Sequence, residues 1–195
     1  LSCFAKAALP VLVPAARGCD AVTVACLTDV LTRAGADVTL ASAEESLSMK
    51  LSGSLTVEAD ALLSDCLERD WAAIALPGGK EGAERLAENR PLISLLRKQR
   101  QAVRCIAAIG ESPAEVLAGN DLLEFDEKAT SLPTPRFKKV LDASCAGWWN
   151  AAVVVDRKVV TSQGPGTALP FALRVVELLY GRDKARDLKA ELLSS

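Results

Sequence analysis

The 195-residue chain contains no histidine. That absence removes the commonest general base and the usual partner of a cysteine or serine nucleophile. It also lacks any Cys-x-x-Cys pair and any cluster of Cys, His and carboxylate at metal-ligand spacing, so neither a metal site nor a bound cofactor is expected. No apolar run reaches the roughly 20 residues that a membrane span requires; Leu9–Ala16 is among the longest. Charge of one sign is not in excess either: 23 basic and 25 acidic side chains leave a formal net charge of −2. Nothing in that balance favours a nucleic-acid backbone or an anionic membrane surface as partner. Internal repeats and low-complexity tracts are absent.

What is present is an apolar half of the chain, enough for one domain over residues 1–195 with a real core and too little to be comfortable as two. Six cysteines (Cys3, Cys19, Cys26, Cys66, Cys105 and Cys145) are scattered, mostly in apolar surroundings. The pattern around them is that of an ordinary α/β domain rather than a loop-rich stapled one. Reduced, mostly buried thiols in an intracellular compartment are therefore expected. The chain starts at Leu1 rather than Met; a processed start makes a mitochondrion or plastid plausible, with the cytoplasm as the alternative.

Short apolar runs alternate with amphipathic runs of helical length. Strands are expected at Leu9–Val13, Ala36–Ala41, Ala72–Leu76 and Cys105–Ile109, and a hairpin joins Val153–Asp156 to Lys158–Ser162 across Arg157. Helices are expected at Ala21–Thr32, Pro91–Arg100, Gly166–Tyr180 and Lys184–Leu193, with Met49–Leu63 holding a short strand excursion and a helical turn. Such alternation argues for a mostly parallel sheet covered on both faces.

In a sheet of that kind ligands bind beyond the carboxyl ends of the strands. Three glycine-containing turns are candidates for that rim: Ala16-Arg17-Gly18, Leu76-Pro77-Gly78-Gly79 and Ile109-Gly110-Glu111-Ser112. Each can equally be turn chemistry alone, since glycine serves wherever the backbone needs positive φ. The third turn follows a buried strand and leads into a helix start, the arrangement that holds a nucleophile above a sheet edge. Here the tip residue is Gly110, and its backbone is expected in a conformation that other residues barely tolerate. Trp148 and Trp149 are adjacent, so both cannot point into one core; they mark either a packed loop or an interaction surface.

Taken together, Arg33–Thr39, Leu76–Gly79 with Gly82–Leu86, Ala107–Ile109 with Pro113, Lys128–Thr130 and Thr161–Thr167 resemble, in order and spacing, the ThiJ/PfpI superfamily over nearly the whole chain. The resemblance implies a flavodoxin-like three-layer α/β sandwich with a mostly parallel central sheet, usually homodimeric. It also implies glyoxalase or deglycase chemistry, redox sensing and chaperone-like activity.

Carried over residue by residue, the family's nucleophilic cysteine falls on Gly110, its thiolate-bonding acid on Thr23 and its histidine on Leu132. The triad is thus expected to be lost. The oxyanion cradle of Gly78 and Gly79 is expected to survive, with the Gly164-Pro165-Gly166 turn behind it. Glu111 and Ser112 are the candidates for replacement chemistry, although Glu111 reads first as a first-turn acid favoured by a helix dipole. The resulting expectation is a degenerate family member acting as a structural or interaction subunit, as a homodimer or in a larger, organellar assembly. The alternative is a glyoxalase-like enzyme of altered chemistry that uses the cradle.

Overall fold

The structure, a computed structural model, describes residues 8–193. Cys3 lies outside them. The chain runs β1 (Pro10–Ala15), α1 (Ala21–Arg33), β2 (Asp37–Ser42), β3 (Ser48–Lys50), β4 (Thr56–Glu58), β5 (Ala61–Leu62), β6 (Ala73–Leu76), α2 (Lys80–Glu88) and α3 (Arg90–Gln101). It continues through β7 (Cys105–Ile109), α4 (Pro135–Ser144), β8 (Val153–Asp156), β9 (Val159–Ser162), α5 (Ala168–Tyr180) and α6 (Arg182–Glu191). Seven strands form one sheet in the order β5-β2-β1-β6-β7-β9-β8, parallel except for β8, which returns antiparallel on β9.

Both faces of the central strands are buried, which is why their sequences read as continuous apolar runs rather than alternating ones. The pleat sends Ile74, Leu76, Ile106 and Ala108 into one core, where Leu92 and Leu96 of α3 cover them. It sends Ala73, Ala75, Ala107 and Ile109 into the other, beneath Leu27 and Leu31 of α1 and Phe171 and Val175 of α5. Three layers result, as expected. The ends of the helices are fixed by local chemistry: Asp20 accepts the Thr23 N–H at 2.8 Å to start α1, and Asn89 accepts that of Leu92 at 3.0 Å to start α3.

Two helices, α2 and α4, lie where the sequence pattern gave no helix. Their apolar stripes are too thin to register. The buried face of α2 consists of Gly82, Ala83 and Leu86, and that of α4 of Phe137 and Leu141 alone. Small residues are required on α2 because a Cβ on Gly82 would lie 2.4 Å from the Cys19 Sγ. In the 49–63 stretch the expected excursion is an antiparallel hairpin of β3 with β4, followed by β5 at the sheet edge. The helix expected after the elbow is one π-type turn, Pro113–Leu117, and a 3-10 turn, Ala118–Asn120, which Asp121 ends at φ +55°.

Candidate functional site

Strands β1, β6 and β7 are neighbours in the sheet, so the three glycine turns that follow them converge on one rim. Gly79 has φ +103°, and a Cβ there would sit 2.5 Å from the Gly18 carbonyl oxygen, so only glycine fits. Gly78 is tied from its other side, its carbonyl accepting the Asp20 N–H at 2.7 Å.

Gly110 stands at the tip of the β7 turn with φ +71°, the left-handed conformation expected of an elbow. A Cβ on it would meet the Gly78 Cα at 3.2 Å. Its N–H donates to Ser162 O at 3.0 Å and its carbonyl accepts the Leu132 N–H at 2.8 Å, so the tip is pinned from both sides. The structure therefore brings Gly110, Leu132, Gly78 and Gly79 together. The half-buried Leu132 extends toward the Gly164-Pro165-Gly166 turn, its Cδ1 lying 3.6 Å from where a Gly164 Cβ would be.

The cradle differs from the expectation in one respect that decides its chemistry. Both of its N–H groups are already engaged within the chain. Gly79 donates to the Glu111 Oε2 at 2.8 Å, and Gly78 donates to the Thr23 Oγ1 at 3.2 Å. Thr23 is fully buried and its own hydroxyl donates to the Asp20 carbonyl at 2.9 Å, closing a short chain of bonds. Glu111 does not serve its own helical turn. Its side chain reaches across to the residue before α2, where a carboxylate is favoured by the helix dipole and by the free N–H groups.

Ser112 is not placed to react: it is fully buried and its hydroxyl donates to the Pro77 carbonyl. No thiol substitutes for it. Burial pushes Cys19, beside the cradle, and Cys105, inside β7, up to about 12, the nearby Asp20, Glu44 and Glu111 carboxylates adding to the effect at Cys19. Among the described residues no group of three or more His, Cys, Asp and Glu is arranged to hold a metal. A cleft of about 600 Å³ bordered by Arg17, Lys50 and Lys80 meets the rim at Gly18 and Gly79.

Beyond the elbow, Trp148 is half-buried and donates its indole N–H to Ser131 O at 3.3 Å, while Trp149 is 43% exposed. Lys138 stands 4.1 Å from the centroid of the first ring and Lys128 4.5 Å from that of the second.

Comparison with known proteins agrees with this geometry. The DJ-1/PfpI family model matches residues 10–178. The Arabidopsis thaliana protein DJ-1 homolog A is 38% identical over 94% of this chain; the chain spans 46% of that relative, about half its length. The Caenorhabditis elegans protein described as glutathione-independent glyoxalase DJR-1.2 is 32% identical, with 94% of each chain covered. The solved structure of oxidized Toxoplasma gondii DJ-1 superimposes with a TM-score of 0.90 at 37% identity, covering 95% of this chain and 98% of that one. The overall fold is thus that of a known family. The chain belongs to the DJ-1/PfpI family.

Proposed function

We propose that this chain is a non-catalytic member of its family, serving as a structural or interaction subunit, as a homodimer or in a larger assembly. The observation that carries the reading is the closed cradle. A glyoxalase of the DJ-1 type requires a thiolate to form a hemithioacetal, and Gly110 supplies no side chain at the elbow. Donors that would steady a developing oxyanion must be free when it forms. Here Gly78 and Gly79 donate to Thr23 and Glu111 instead. Leu132, where the family's histidine falls, brings hydrocarbon rather than a base. The exposed Trp149 with its lysine is surface that a partner can use.

The test is methylglyoxal consumption by the purified protein, beside light scattering of the same sample. The expected result is no turnover above buffer and a mass greater than one chain. Turnover that Glu111→Gln abolishes would favour the altered enzyme instead, with the Glu111 carboxylate as its base.

A further inference from the structure

Far from the elbow, α5 and α6 face each other across a groove of about 620 Å³ at the open edge of the sheet. On α5 the groove is lined by Pro170, Leu173, Arg174 and Glu177, and on α6 by Arg182, Ala185, Arg186 and Lys189. Both sets follow the spacing i, i+3, i+4, i+7. Each helix therefore turns a single face into the groove, and at the middle of each face an apolar residue is followed by an arginine, Leu173-Arg174 on α5 and Ala185-Arg186 on α6. Val153 of the edge strand β8 closes the third side.

The floor is apolar because it is the margin of a core: Leu173 and Ala185 belong to the cluster beneath α5 and are 7% and 8% exposed. The rim is cationic. Glu177 is the one acid lining it, and its carboxylate is already shared, Arg174 taking Oε2 at 2.5 Å and Arg182 taking Oε1 at 3.3 Å. Arg186 is held by Asp183 and Asp187, neither of which lines the groove. Lys189 has no carboxylate within 4.0 Å among the described residues. Four cations against Glu177 and the two aspartates that hold Arg186 leave an excess of one positive charge, at Lys189, beside the hydrocarbon.

From this we infer that the groove is a binding site for an amphipathic anion: a carboxylate on an apolar body, small enough for a volume typical of ligand sites, about 300–1,000 Å³. The hydrocarbon displaces water from Leu173, Ala185 and Val153, and the carboxylate meets Lys189 and the arginine rim. Neither half suffices alone. A neutral alcohol leaves Lys189 unanswered, and an amine of the same length meets charge of its own sign.

The experiment titrates the full chain with decanoate, decanol and decylamine below their aggregation limits, following backbone amide shifts. Saturable decanoate shifts confined to α5, α6 and β8 are expected, with decylamine at least tenfold weaker. Arg182→Glu with Lys189→Glu reverses two charges at solvent-exposed positions and should weaken decanoate at least tenfold. Ala185→Trp, which fills the groove, should do the same, with circular dichroism verifying its fold. Equal binding of decylamine, unchanged binding by the charge-reversed variant, or no saturable decanoate shift overturns the proposal.

Discussion

Placing a thiol at the elbow, Gly110→Cys, is the perturbation whose outcome the geometry specifies most fully. A non-glycine residue held at left-handed φ costs about 1–2 kcal/mol, and Gly110 has φ +71°. The new Cβ also meets the Gly78 Cα at 3.2 Å, and that backbone is tied down through Thr23 and Asp20. The sum is a loss of about 2 kcal/mol, a melting temperature lower by about 4–8 °C in a chain of this size. Gly166→Ala is the control, its Cβ meeting nothing within 4 Å, and should change stability by less than about 0.5 kcal/mol.

Reactivity is the second readout. The thiol would stand beside the Glu111 carboxylate, which disfavours a thiolate, so its pKa should stay at or above the free value of about 8.5. Glu111→Ala in addition removes that charge and frees the Gly79 N–H to face the sulfur. Iodoacetamide labelling of the introduced thiol at neutral pH should then accelerate at least tenfold. Adding Thr23→Glu should lower the thiol pKa further provided that the new carboxyl is protonated and donates its O–H to the thiolate, and glyoxalase turnover should stay low until Leu132→His completes the set, because such groups act as a unit. A single variant that labels as fast as the double one, or melts with the control, refutes the reasoning.

Four further outcomes follow from particular residues. Val103 holds φ +54° just past the end of α3 and is 70% exposed; Val103→Gly should stabilise by about 0.5–1 kcal/mol in a denaturant titration, since glycine is the residue that position favours. Glu127 is fully buried and grips Arg100 by both oxygens at 2.9 Å, so Arg100→Ala should cost about 3–5 kcal/mol, against less than about 1 kcal/mol for the exposed Arg33. The Thr130 hydroxyl is buried without a partner, and Thr130→Val should be neutral or stabilising by about 1 kcal/mol on thermal melting. Burial pushes Cys26 up to about 11 and Cys19 and Cys105 up to about 12, and raises Cys66 and Cys145. In a Cys3→Ser variant, alkylation at pH 7.5 should therefore be slow at every site, and at Cys26 it should rise with pH only toward 11, as thiolate forms; one thiol labelled within seconds would contradict this.

The parts of the fold that the sequence displays are those whose signal is local. Buried strands such as Cys105–Ile109 show as apolar runs because both faces are covered, and Gly110 shows as an elbow because a strand and a helical turn flank it. α2 and α4 do not show. Their buried faces rest on two or three residues, and at Gly82 the requirement is for the absence of a side chain, which no hydrophobic pattern records. The closed cradle is hidden for another reason. Glu111 meets Gly79 across 32 positions and Thr23 meets Gly78 across 55, so their pairing depends on how β1, β6 and β7 lie side by side. The available signal was slight: a carboxylate next to the elbow glycine in a chain with two glycines at the neighbouring strand end.

That pairing also explains why Thr23 and Glu111 occur together with Gly110. Removing a nucleophile from an elbow leaves donors pointing at nothing, and a buried unpaired N–H costs about 1–3 kcal/mol. A glycine at the tip cannot answer them. Thr23, fully buried, answers Gly78 while its hydroxyl donates to Asp20, and Glu111 answers Gly79 from the position after the tip. On the non-catalytic reading proposed above, the three residues act together, the donors being kept satisfied and neither left for an oxyanion. On this account Glu111 is held by what it stabilises rather than by what it could react with. Glu111→Gln, whose amide oxygen can still accept from Gly79, should then be nearly silent in stability, while Glu111→Ala should destabilise by about 1–3 kcal/mol. Urea denaturation of the two variants separates the cases. Equal, negligible effects would mean that water satisfies the cradle unaided, and the site would then be open to an oxyanion after all.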